Sequence, residues 1–276
     1  MIAIKDVLTN YQKACEAKAS NSCLSLFFKA CFAGAMIGFG GAAGNVASHA
    51  IADVGVGRMA AASVFPVGLM MILFMGAELF TGDCMVTLGV AGKNISVLQA
   101  LKILLCVFFG NMLGSTILCF LIFHSGQYNY SAGLLGAFTI KVALGKCTMS
   151  FGSALASGIL CNFLVCAAVL MANASSTAVG KIWAAFFVIF LFVISGYEHC
   201  VANMYYITAG LFAKTNPAYV NKAMEVYGYT ADQLDKLNLY GYFVKNLIPV
   251  TLGNFIGGGC VLALSLLFLN RAKKEK

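Results

Sequence analysis

Six stretches of this chain are apolar enough to cross a lipid bilayer as helices, and two of the six are too long to do so as one straight crossing. A spanning helix needs roughly 20 apolar residues. Four runs fit that length, at about residues 26–46, 97–123, 153–171 and 244–269. The second run extends from near Ala60 to near Gly92, and the fifth from Ile182 to Phe212. Composition agrees. The chain is 61% hydrophobic and only 10% charged, where a soluble domain carries roughly a quarter charged residues and could not otherwise cover itself in water. The expected fold is therefore all-α and integral to the membrane, with one membrane domain over residues 26–270.

The flanks differ in kind. Residues 1–25 place Ile4, Val7, Leu8, Tyr11 and Cys15 at the spacing of an amphipathic helix, expected to lie at the membrane face. With Lys5 and Asp6 so early, this segment does not read as a signal peptide. Residues 132–144 form a shorter apolar run carrying Lys141 and closed by Lys146, better suited to an interfacial or re-entrant piece than to a span. The end of the chain, 271–276, is a basic tail.

The formal net charge is +8. Its basic residues flank the spans instead of forming a dense stripe, so they set orientation and do not bind nucleic acid. With six crossings both termini share one side. The lysine and arginine excess on that side is modest but places both termini in the cytoplasm, with the chain in the cytoplasmic (inner) membrane. The eleven cysteines lie mostly inside apolar runs, with no Cys-x-x-Cys pair and no Cys/His ligand spacing. They read as packing groups, and no metal or cofactor is expected.

The two overlong runs carry the chemistry. One is interrupted at Glu78-Leu79-Phe80-Thr81-Gly82-Asp83, the other at Ser195-Gly196-Tyr197-Glu198-His199, 120 residues later when Glu78 is matched to Glu198. Glu78, Asp83, Glu198 and His199 are the acidic and histidine residues inside the strongly apolar runs, and all four sit in the interruptions. Such groups are costly in a membrane and mark a cavity or a partner. Unwound backbone at that depth is tolerated where it is buried in protein or lines water. Small residues echo the spacing as well, Gly34/Gly38 against Ala154/Gly158. Spans 1–3 and 4–6 thus read as two copies of one three-helix unit, inverted relative to each other, with broken second and fifth helices. That pattern points to a transport site near the midplane.

At the break, His199 has Glu198 beside it and Asn203 one turn on. A neutral imidazole can donate to an anion, and a protonated one can attract it or pass it a proton. Thr81 offers a hydroxyl at the other break. Glu78 and Glu198 read as holders of the broken backbone, since a carboxylate repels an anion.

Three segments resemble the formate–nitrite transporter family: Gly76-Ala77-Glu78-Leu79-Phe80-Thr81-Gly82, then residues 158–166 (GILCNFLVC), then residues 196–204 (GYEHCVANM). The resemblance implies a homopentamer of protomers with an aquaporin-like fold, each with its own pore for small monovalent weak-acid anions. Formate is the first expectation, with nitrite, hydrosulfide and lactate as others, and the central histidine is expected to offer a route for coupling transport to protons. It implies that Thr81 faces His199 between two constrictions, an outer one of Phe65, Phe80 and Val165 and an inner one of Leu69, Leu79 and Phe192. Asn162 would lie near the histidine, Lys146 would draw anions into the outer vestibule, and the N-terminal helix would gate the inner mouth. An enzyme using facing histidine pairs is not expected from three histidines of which His49 and His124 fall at span ends. The rival reading, an aquaporin-like channel for neutral solutes, would want Asn-Pro-Ala pairs, and the prolines are Pro66, Pro217 and Pro249.

Overall fold

The computed structural model describes residues 1–270, so the expected basic tail at 271–276 lies outside the described residues. Eleven helices are used here as landmarks: α1 Ile4–Ser20, α2 Cys23–Ser48, α3 Val54–Met75, α4 Phe80–Ala91, α5 Val97–His124, α6 Leu134–Cys147, α7 Phe151–Ala174, α8 Ala178–Ser195, α9 Cys200–Lys214, α10 Pro217–Tyr227 and α11 Gly241–Leu269. Six of them, α2, α3, α5, α7, α8 and α11, are long and apolar enough to cross a membrane.

Helix starts follow local chemistry. Ser22, Asp53, Ser96, Ser150, Thr177 and Asn216 each accept a backbone N–H of the first turn. Ser96 and Gln99 complete a reciprocal capping box. The two interruptions end by the same device. Gly76 (φ 66°) closes α3 and Gly196 (φ 71°) closes α8, both in the left-handed region where a side chain would strain the backbone. After each, three extended or irregular residues lead into a new helix at Phe80 or Cys200. The last span departs from simple α geometry. Residues Gly241–Leu247 and Phe255–Leu264 are π-helical, separated by the α-helical Ile248–Asn254, whose last residue is Asn254. Such bulges recur at functional sites.

Spans α2 and α5 pack along their length, as do α7 and α11, giving each half the same central pair. Large apolar side chains remain exposed around the outside, among them Phe28, Phe32, Phe39, Leu105, Phe109, Ile117 and Phe187. In water this would be an aggregating surface, whereas in lipid it is the expected boundary.

The N-terminal helix does not simply lie along the membrane face. Val7, Leu8, Tyr11, Cys15 and Ala19 are buried against the protein. Tyr11 Oη donates to the Gly82 carbonyl (2.8 Å) and Gln12 Nε2 to Leu88 (3.2 Å), tying α1 to α4. Lys102 of α5 satisfies the end of α1 through the Ala19 and Asn21 carbonyls.

Candidate functional site

Each interruption is pinned by one asparagine from a neighbouring span. Asn111 Oδ1 accepts the Phe80 N–H (2.9 Å), and its Nδ2 donates to the Ala30 (2.8 Å) and Glu78 (3.0 Å) carbonyls. Asn254 does the same on the other side. Its Oδ1 accepts the Cys200 N–H (2.8 Å), and its Nδ2 donates to the Gly158 (2.8 Å) and Glu198 (3.0 Å) carbonyls. The two sets superimpose group for group, so the breaks are an inverted pair at the level of single hydrogen bonds. Matching Ala30 with Gly158 puts the first and fourth spans 128 residues apart. The expected pairing of Gly34/Gly38 with Ala154/Gly158 is therefore out of register by eight residues, or about two turns. Loops of different length in the two halves separate this offset from the 120 that relates the breaks.

Where the interruptions meet, Thr81 Oγ1 lies 2.9 Å from His199 Nε2, and both residues are buried. His199 Nδ1 accepts the Ala202 N–H (3.0 Å), capping α9. That bond assigns the ring's proton to Nε2, because a hydrogen on Nδ1 would face another N–H. The Nε2–H then donates to Thr81, leaving the Thr81 hydroxyl proton free to point elsewhere. Asn162 fixes the pair from behind. Its Nδ2 donates to the carbonyls of Thr81 (3.0 Å) and Asn254 (2.7 Å), and Cys166 Sγ also donates to Thr81 (3.2 Å). The second halves α4 and α9 both begin at this centre, so their partial positive ends converge on it.

A charged cluster flanks the centre on each side. Lys146 Nζ bonds Glu198 Oε1 (2.8 Å) and sits 5.2 Å from the Tyr206 ring centroid, while Asn203 and Asn246 donate to Glu198 Oε2 (2.7 and 3.3 Å). On the opposite side Lys18, near the end of α1, bonds both Glu78 (2.5 Å) and Asp83. Burial alone would depress the Lys18 ammonium, but the Asp83 and Glu78 carboxylates outweigh it and hold it above the ordinary lysine value. Lys18 is 128 residues before Lys146, the same offset as Ala30 and Gly158.

Two cavities with no shared lining residue open on the two sides. One, of about 450 Å³, lies under α1 and is lined by Tyr11, Lys18, Leu69, Glu78, Leu79 and Asp83 among others. The other, of about 410 Å³, is lined by Arg58, Phe65, Lys141, Lys146, Phe192 and His199 among others. The Thr81–His199 pair stands between them.

The structure thus brings together Thr81, His199, Asn162, Lys146, Glu198 and Asn203. It divides the constriction residues differently from the expectation in two places. Leu69 and Leu79 line the α1 cavity, but Phe192 does not join them. Its ring packs edge-on to Phe65 (centroids 5.7 Å apart) and over His199 (5.8 Å), on the wall of the Lys146 cavity. The reason is that α8 ends at Gly196, one turn later, which puts Phe192 at the level of the break itself. Phe80 and Val165 are buried beside the centre, Phe80 edge-on to Phe108 (5.3 Å), and neither lines either cavity. Sequence reasoning passed over Lys18, Asn111, Asn246 and Asn254. The available signal was the 128-residue interval between Lys18 and Lys146, each a short distance before a span.

Comparison with known proteins gives the family of the chain. A profile of the family described as Formate/nitrite transporter matches residues 5–268. A probable formate transporter of Methanothermobacter thermautotrophicus is 35% identical over 249 residues, covering 84% of this chain and 83% of that protein. The formate channel FocA of Haemophilus influenzae is 33% identical over 219 residues, covering 79% of this chain and 76% of the relative. Among solved structures, a pentameric formate channel with formate bound aligns with TM-score 0.81 at 30% identity, covering 90% of this chain and 97% of that one. An FNT family ion channel aligns with TM-score 0.82 at 28% identity, covering 96% and 99%. The chain belongs to the formate/nitrite transporter family.

Proposed function

We propose that this chain forms a pathway for small monovalent weak-acid anions, formate foremost, with the Thr81–His199 pair at its centre. The observation that carries this reading is the 2.9 Å Thr81–His199 contact between two separate cavities. An anion entering an apolar constriction loses hydration at large cost. Here it would meet the Thr81 hydroxyl proton, left free because His199 donates its Nε2–H to the same oxygen, at the convergent ends of α4 and α9. Lys146 and the neighbouring Arg58 and Lys141 give the second cavity a positive lining that gathers anions.

With Nδ1 engaged by Ala202, the neutral ring acts as a hydrogen-bond donor. Proton coupling then requires a proton to reach the ring from a vestibule. The imidazolium hands Nε2–H to a carboxylate oxygen, neutral formic acid leaves, and the ring returns to neutral at the expense of the Ala202 bond. The formate channels among the relatives support formate and the family's description supports nitrite, while hydrosulfide and lactate are further candidates as anions of the same weak-acid class. The pentameric relative supports a homopentamer. The inner membrane as location, cytoplasmic termini and gating by α1 belong to the same proposal. The test is uptake of formate, nitrite, hydrosulfide and lactate by proteoliposomes of the purified protein at two pH values. Saturable uptake of formate above empty vesicles supports the reading. Equal passage of a neutral solute such as glycerol, with no anion uptake, overturns it.

A further inference from the structure

The two charged clusters are inverted copies of each other with one difference in charge. Lys18 corresponds to Lys146 and Glu78 to Glu198. Asp83, five residues after Glu78, corresponds to Asn203, five residues after Glu198. The cluster on the Lys146 side is one ammonium, one carboxylate and neutral amides, and its charges cancel. The α1-side cluster is one ammonium and two carboxylates, so one negative charge is left over.

That charge is badly placed. Asp83 is 1% exposed, and its Oδ2 atom is buried with no hydrogen-bond partner, while Oδ1 is taken by Lys18. The groups facing Asp83 are Lys18, Tyr11 and Cys15 of α1, Glu78 of the interruption, Cys84 of its own helix and Cys166 of α7. Among these Lys18 is the sole cation, and Glu78 already shares it. Two carboxylates on one ammonium repel, and a buried carboxylate oxygen without a donor is costly. A single proton on Asp83 removes both problems, since a protonated carboxyl donates where a carboxylate can only accept.

We propose that Asp83, sharing Lys18 with Glu78, binds one proton at the α1-side vestibule, a site that the Lys146-side vestibule lacks. Holding the proton leaves the Lys18 cluster neutral, matching its twin. Losing it puts one negative charge on the wall of the cavity that the anion must cross. The pathway is therefore sensitive to pH on the α1 side in a way it is not on the other, with flux rising as the α1-side pH falls through the titration. The flux consequence rests on the anion-pathway reading, whereas the proton site itself does not.

The site is tested by infrared spectroscopy of the purified full-length protein as pH is raised stepwise from acid to alkaline, following the C=O stretch of a protonated carboxyl. The wild type should show one such band that disappears with rising pH. Asp83→Asn and Glu78→Gln should each remove it, and Asn203→Asp should add a second of the same kind. No band in the wild type, or a band that survives both single variants, overturns the proposal. So does thermal stabilisation of the wild type by sodium but not by protons, which would identify a metal cation as the balancing charge.

The consequence is tested by formate flux in vesicles sorted by protease access to the amino terminus, each variant normalised to itself. Lowering the α1-side pH should raise wild-type flux by roughly five- to thirtyfold, for one unit charge taken at ~8 Å and an effective dielectric constant of about 20–40. Asp83→Asn should flatten that dependence, and an undiminished dependence in this variant contradicts the proposal. Absence of any wild-type formate flux would overturn the transport reading and leave the infrared result standing.

Discussion

Replacing Asn254 with alanine should loosen the second break more than any other single amide substitution. Asn254 holds three backbone groups at once, the Cys200 N–H and the Gly158 and Glu198 carbonyls, at 2.8–3.0 Å in a fully buried setting. Alanine removes all three partners and offers no space filled by water-like donors. Each stranded buried group costs about 1–3 kcal/mol. The N–H and two carbonyls together come to ~3–9 kcal/mol, the lower half of the range applying where a carbonyl's second acceptance or local water relieves the loss. Asn111→Ala should cost a similar amount, because its three bonds are the inverted copies. Unfolding of the purified protein in mixed micelles, titrated with SDS, measures the loss directly. The control is Asn221→Ala, at an exposed position with no side-chain partner among the described residues, expected within about 0.5 kcal/mol of wild type. If Asn254→Ala and Asn111→Ala cost no more than the control, the pinning argument is wrong.

Other perturbations follow from the same geometry. Lys146→Gln strands the buried Glu198 carboxylate and should destabilise by ~3–5 kcal/mol, with the Lys146→Gln/Glu198→Gln pair recovering most of it in the same SDS titration. Thr81→Val keeps the shape and removes the hydroxyl. At ~1.5–3 kcal/mol for a hydrogen bond to a charged group, formate flux should fall roughly ten- to hundredfold, and an unchanged rate would exclude the hydroxyl from the path. Because the folded-state Lys18 ammonium is held above its ordinary value, its link to α4 is fully present below lysine's usual pKa and lost only as pH rises beyond it. Amine-reactive labelling read by mass spectrometry should therefore modify exposed Lys5 and Lys13 well before Lys18. Burial also lifts the Cys15 thiol to about 11, against the opposing pull of Lys18. Maleimide should thus react with Cys15 slowly in the wild type and faster in Lys18→Gln, and equal rates would mean that the lysine does not hold α1 down.

The parts of this site legible in the sequence were those where a residue type breaks the pattern around it. Glu78, Glu198 and His199 stand out because ionisable groups in apolar runs demand an explanation. Thr81 is found through the matching interruption. The pinning asparagines are different. Asn111 and Asn254 sit in the middle of ordinary spans, where one amide reads as helix–helix glue. Only coordinates reveal that each reaches a broken helix from the side. Lys18 reads as a basic residue at a membrane face, and its partners become visible only once α1 is seen buried against α4. Register was the weakest inference. Small residues are frequent in packed spans, so Gly34/Gly38 found a plausible match at Ala154/Gly158, whereas the asparagine bonds align Ala30 with Gly158. Phe192 was misjudged for a related reason, since its side of the pore depends on where α8 stops and not on the residue itself.

The central claim, that an anion passes between Thr81 and His199, is tested most directly by formate uptake into proteoliposomes carrying wild type or His199→Phe, with folding checked by gel filtration. Phenylalanine keeps a ring over Phe192 and removes both nitrogens. The account predicts saturable uptake by the wild type and uptake by the variant no faster than empty vesicles. Equal uptake by the two proteins at every pH would contradict it.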